Sequence, residues 1–132
     1  MPPTVLPRTV LPRPAPAPAP RGRIGAGFCP APYRYHLYLA AGCPRSEQVA
    51  EAHARLGLQD TLAATVLGAD SRAPGHTALR RAYEAAGHHY GGTLTVPALC
   101  DTWSGRVVSN HTPDILEDLH FLSAHPAFRA VR

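Results

Sequence analysis

The sequence contains no lysine; its thirteen strongly basic side chains are all arginines. They are scattered from Arg8 to Arg132, and nine acidic residues reduce the net charge to +4. A nucleic-acid-binding chain gathers its cations into a stripe or run, so no nucleic-acid partner is expected. Long apolar runs are also missing. None approaches the roughly 18–20 residues of a membrane span, and prolines interrupt every apolar stretch of the first twenty residues, where a secretory leader would need one. A cytoplasmic location with no membrane association is therefore expected. Cysteine is scarce, and the odd count of three, without a leader, argues against a disulfide framework. Eight histidines are present, but none has finger-like spacing, and the adjacent His88 and His89 point in different directions on any regular element. No metal site is expected.

Proline, by contrast, is abundant, with fifteen residues concentrated near the start. The alternating run from Pro14 to Pro20 favours extended polyproline II and cannot bury a face. Residues 1–27 thus read as a Pro/Ala/Arg-rich tail that contributes nothing to a core. Residues 28–125 read as the folded domain and 126–132 as a second tail. One domain with one modest core is what 132 residues allow.

Within the domain, Tyr35-His36-Leu37-Tyr38-Leu39-Ala40 has the aromatic and aliphatic richness of a buried strand. After Gly42 the period changes: Val49, Ala52, His53 and Leu56 fall on one helical stripe, Pro44 suits the first turn, and Gly57 suits the end. A second strand over 62–67 follows, then a helix capped by Thr77 and ending at Gly87, with a turn at Gly91-Gly92. Residues 94–101 and 106–109 form a hairpin around Ser104-Gly105. Thr112, as cap, and Pro113 open a last helix through Ile115, Leu116, Leu119 and Leu122, with Asp114, Glu117 and Asp118 suiting its dipole. The order β-α-β-α-β-β-α is that of an α/β, thioredoxin-like fold, although spacing alone leaves other α/β sandwiches open.

Chemistry concentrates at Cys43, directly before Pro44, where the first strand turns into the first helix. Unpaired amides and the helix dipole favour a thiolate there. Arg45 adds a positive charge, and Ser46 stands where a resolving cysteine would, within reach of the sulfur. With serine at that position the chemistry is monothiol: attack on a sulfur, a mixed disulfide, then release by a second thiol. Val96-Pro97 is the second element, expected as a cis bond at the start of a strand, facing the cysteine. Cys100 is expected to pack, Cys29 to lie at the edge of the tail, and Trp103 and His111 to be exposed.

Three stretches together resemble one family. Tyr35-His36-Leu37-Tyr38-Leu39-Ala40-Ala41-Gly42-Cys43-Pro44 resembles the strand and Cys-Pro segment of the glutathionyl-hydroquinone reductases, the Xi-class glutathione transferases. Leu79-Arg80, Tyr83, His89-Tyr90 and Thr95-Val96-Pro97-Ala98-Leu99-Cys100-Asp101 are similar to a second segment, and Ser104-Gly105 with Val107-Val108-Ser109-Asn110-His111-Thr112 and Ile115 to a third. The resemblance covers roughly 33–122. It implies that Cys43 is the nucleophile that removes glutathione from a glutathionyl-hydroquinone, and that Val96 and Pro97 hold the tripeptide backbone. Arg45 replaces the family's tryptophan. His111-Thr112 replaces a Glu-Ser pair at the γ-glutamyl end, keeping the hydroxyl but not the carboxylate. The chain reaches Arg132 without the family's C-terminal all-helical domain.

Two functions are weighed on this basis. One is a monothiol oxidoreductase or glutathione-transferase-like enzyme acting through Cys43 and Ser46. Its cosubstrate is glutathione or another low-molecular-weight thiol, held by Arg45, Val96, Pro97, His111 and Thr112, and its second substrate is an electrophile. The other is a catalytically impaired relative that binds a thiol or a protein, with self-association or a partner covering the face left by the helical domain. Exposed aliphatics on the last helix would favour the second.

Overall fold

The computed structural model describes residues 20–70, 72–87 and 94–129. Most of the proline-rich run, the His88-His89 pair, Tyr90 and the Gly91-Gly92 turn lie outside the described residues. In chain order the elements are β1 (Arg23–Ile24), β2 (Gly27–Phe28), β3 (Tyr35–Ala40), α1 (Pro44–Arg55), β4 (Ala63–Leu67), α2 (Pro74–Ala85), β5 (Ala98–Asp101), β6 (Arg106–Ser109), α3 (Thr112–Ala124) and α4 (Pro126–Arg129).

The main sheet has the order β4-β3-β5-β6. β4 runs parallel to β3, as a helical crossover requires, while β5 and β6 form an antiparallel hairpin against β3. Side chains on β3 alternate between two cores. Tyr35, Leu37 and Leu39 meet Leu99, Val108 and the buried stripes Val49-Ala52 of α1 and Ile115-Leu119-Leu122 of α3. Tyr38 faces the other way, with Ala98, Cys100, Val107 and the Leu79-Ala82-Tyr83 stripe of α2. Two helices on one face and one on the other make this a thioredoxin-like α/β fold.

The helix starts follow proline more closely than hydroxyl caps. Pro44, Pro74 and Pro113 each occupy the first turn, where a missing N–H costs nothing. Thr77 therefore lies inside α2, which starts three residues earlier at Pro74. Thr112 is the first helical residue of α3 rather than its cap, a position taken by His111. β5 is shorter than the apolar run that precedes it suggests, because Val96 and Pro97 form a bend ahead of the strand and 94–95 are irregular.

Both expected tails contain ordered, packed structure. Residues 20–28 run along the open edge of β6: Gly22 N–H donates to Val108 O at 2.7 Å, and Ile24 enters the main core. Arg23 reaches α3, donating from Nε to Asp118 at 3.0 Å and from an Nη to Glu117 at 2.9 Å, while Asp118 also accepts the Ile24 N–H. Pairing satisfies an edge strand that would otherwise offer unpaired amides. At the other end α4 turns Phe128 into the same core. Composition concealed both, since each depends on contacts with residues distant in the chain.

Candidate functional site

Cys43 sits immediately before α1 in extended conformation, partly exposed, with its carbonyl accepting the Glu47 N–H at 2.9 Å. Ser46 lies one turn on and is buried. Its hydroxyl accepts the Ala40 N–H at 3.0 Å, so the Ser46 proton remains available for the Cys43 sulfur. The Ser46 hydroxyl is the largest influence holding the Cys43 pKa below the ordinary thiol value; the Ser46 and Arg45 amides and the Arg45 charge act in the same direction. Partial burial opposes them and is outweighed. The neutral thiol makes no capping hydrogen bond to the helix; these donors favour the charged sulfur.

The other two cysteines differ in kind. Cys100 is buried beside Tyr38 and Tyr83, and burial pushes its thiol up to about 12. Cys29 is exposed, and its carbonyl accepts the Tyr35 hydroxyl. All three are free thiols. Among the described residues no group of three His, Cys, Asp or Glu side chains is placed to hold a metal ion.

The Val96-Pro97 bond is cis. Ala98 pairs with Tyr38, so continuing the antiparallel register places Pro97 and Val96 beside the last residues of β3, where the chain turns toward Cys43. Ser109 pairs with Leu99, which brings the end of β6 and the following His111 and Thr112 to that same end of the sheet. The fold thus assembles Cys43, Arg45, Ser46, Val96, Pro97, His111 and Thr112 at one sheet end from segments far apart in sequence. Thr112 is buried, whereas His111 is partly exposed and donates its backbone N–H to Ser109 Oγ at 3.1 Å. His111 Nδ1 lies 3.3 Å from Asp114 Oδ2 without hydrogen-bonding geometry. Burial would raise the Asp114 pKa, but Arg21, 2.9 Å away, outweighs it and holds the carboxyl below its usual range.

Trp103 lies at the opposite end, on the β5–β6 turn, 68% exposed, with the Arg34 guanidinium 4.7 Å over its ring. It takes no part in the cysteine site. Three neighbours of the site were not among the site residues expected from the sequence: Arg21, Tyr83 and Asn110. Tyr83 was legible as a buried stripe position but not for its hydroxyl, which donates to Thr95 O at 2.6 Å. For Arg21 a signal existed, since Arg21 and Arg23 match the acidic residues 114, 117 and 118 at helical spacing.

No family model matches the chain. Over 115 residues it is 30% identical to a glutathionyl-hydroquinone reductase of Sphingobium chlorophenolicum, an alignment that covers 75% of this chain and 37% of that protein. It is also 30% identical over 107 residues to a glutathionyl-hydroquinone reductase of Escherichia coli K-12, covering 68% and 33%. The glutathione-bound structure of that Escherichia coli glutathione transferase homologue superimposes with a TM-score of 0.58 at 24% identity, over 81% of this chain and 39% of that one. A Xi-class glutathione transferase from Natrialba magadii gives a TM-score of 0.63 at 21% identity, over 83% and 42%. The two structural likenesses bear on the fold. The chain spans about a third of the length of the curated relatives it matches. Its folded part is a divergent relative of the thioredoxin-like part of the glutathionyl-hydroquinone reductases and Xi-class glutathione transferases.

Proposed function

We propose that this chain is a monothiol, glutathione-dependent oxidoreductase in which Cys43 removes glutathione from a glutathionyl-hydroquinone. The observation that carries the reading is the placement of Cys43 at the start of α1, with the Ser46 hydroxyl and the first-turn amides lowering its pKa. The Cys43 thiolate attacks the sulfur of the thioether. A sulfur–sulfur bond forms, the carbon–sulfur bond breaks, and the electron pair passes to the ring carbon, which takes up a proton as free hydroquinone. A second glutathione, as thiolate, then attacks the glutathione sulfur of the mixed disulfide, releasing oxidised glutathione and regenerating Cys43.

Ser46 stabilises the thiolate between these steps by donating its proton while the Ala40 amide fixes its oxygen. Val96 and Pro97 supply backbone groups for the tripeptide at the sheet end that carries Cys43, and Thr112 offers a hydroxyl at the start of α3. Arg45 contributes charge where the family it resembles has a tryptophan, and His111 stands in place of that family's carboxylate; both exchanges keep another low-molecular-weight thiol as the alternative cosubstrate. On α3, Ile115, Leu119 and Leu122 are buried, and Phe121 is its one large apolar side chain exposed among the described residues. An aliphatic surface favouring a pure binding module is therefore not present there.

The test is turnover of a glutathionyl-hydroquinone with excess glutathione. Equal amounts of hydroquinone and oxidised glutathione should appear with the unmodified chain, and Cys43→Ser should abolish both. Product formation by Cys43→Ser at the unmodified rate would overturn the proposal.

A further inference from the structure

Tyr83 is fully buried on α2, its ring packed with Leu79, Ala98, Cys100 and Val107, so its hydroxyl is held in one place. Among the described residues that hydroxyl makes two bonds, both at the sheet end that carries Cys43. It donates to the backbone carbonyl of Thr95 at 2.6 Å and accepts from Asn110 Nδ2 at 3.1 Å. Thr95 directly precedes the cis Val96-Pro97 pair, and Asn110 directly precedes His111-Thr112. One donor and one lone pair of a single phenol therefore join the two backbone segments assigned above to the thiol cosubstrate. Asn110 is tied on its other side as well, its N–H pointing to Pro20 O at 3.4 Å. No helix, strand or ladder bond links 95–97 to 110–112 directly; the pairing of β5 with β6 begins only at Leu99 and Ser109.

We infer that Tyr83 is a positioning residue, a clasp that fixes the spacing between the Val96-Pro97 segment and the His111-Thr112 turn and so sets affinity for the thiol cosubstrate. The inference deepens the proposed Cys43 chemistry and rests on it for the identity of the ligand. The influences on the Cys43 sulfur come from Ser46, Arg45 and burial, and Tyr83 is not among them. The clasp acts on binding and leaves the intrinsic reactivity of the thiolate alone.

Tyr83→Phe keeps the ring and removes the hydroxyl. In the intact chain, amide hydrogen exchange should quicken on the order of tenfold, the effect of losing a buried hydrogen bond, in peptides covering 94–99 and 109–113, and stay unchanged in one covering 43–50. Half-saturation of Cys43 by oxidised glutathione should need about tenfold more disulfide, while the rate of Cys43 alkylation by iodoacetamide stays that of the unmodified chain. Adding Asn110→Ala to Tyr83→Phe should change little further, because the two act through one contact. Unchanged exchange in either loop peptide would overturn the clasp. So would an equal slowing of alkylation and glutathionylation, which marks general damage to the fold. If the unmodified chain takes up no glutathione, the proposed function falls, and the exchange measurements still decide the clasp.

Discussion

At the scale of single residues, two side chains explain most of what the site and its frame require. Ser46 is the first. Its oxygen is held by the Ala40 amide and its proton is left for Cys43, so the pH profile of Cys43 alkylation should have its midpoint below the free-thiol value of about 8.5. Ser46→Ala should move that midpoint up toward the free-thiol value; a midpoint that stays put would assign the low pKa to the helix alone. Asp101 is the second. Burial would raise its pKa, yet the paired bonds from Arg34 at 2.8 and 2.9 Å, with Ser104 and the Trp103 amide, bring it down to about 2. Its folded pKa lies below the ordinary Asp value of about 3.9. Its contribution is therefore present above that value and is lost as pH falls toward 2. Asp101→Asn should cost about 3 kcal/mol near neutral pH, since it leaves Arg34 without its charge partner, and the variant's urea midpoint should fall less than the unmodified chain's between pH 4 and 2. Cys43 and Ser46 could be read from sequence because their relation is local, one turn apart. Asn110 and the Tyr83 hydroxyl could not, because helical periodicity says which side is buried and nothing about where a phenol's oxygen ends.

At the scale of elements, the segment 20–28 changes the picture most. Arginine, glycine and proline make it resemble a linker, yet it closes the β6 edge and places Ile24 in the core. Gly22 is required by the approach itself: a Cβ there would lie 2.8 Å from Val108 O and 2.8 Å from the Phe28 ring. Gly22→Ala should loosen this segment, read as faster amide exchange at 20–28 and along β6, with α2 unaffected. Ile24→Ala should cost about 2–4 kcal/mol in a urea melt, as a buried large-to-small change does. A cost near zero would mean that the segment is only laid against the fold. The strands and helices of the domain were legible because each has its own period and its own proline or glycine punctuation. The edge segment was not, since its partners on β6 and α3 lie far along the chain, Val108 for Gly22 and Asp118 for Arg23.

At the scale of the whole molecule, the sheet's topology explains why one end carries the chemistry. β3 delivers Cys43, the start of β5 delivers Val96 and Pro97, and the end of β6 delivers His111 and Thr112 to the same edge of the fold. The element order led to the expectation that Val96-Pro97 faces Cys43, whereas His111 and Thr112 as site residues, and the arginine-for-tryptophan and histidine-for-glutamate exchanges at Arg45 and His111, came only through resemblance to the family. Three free cysteines make the central claim directly measurable. Cys100 is buried with a raised pKa, Cys29 is exposed, and Cys43 is partly exposed with a lowered one. The chain should be incubated with oxidised glutathione at pH 7 and its cysteine peptides examined by mass spectrometry. A glutathione adduct should form first and predominantly on Cys43 and disappear in Cys43→Ser. An adduct confined to Cys29, or one that forms equally well in Cys43→Ser, would contradict the account.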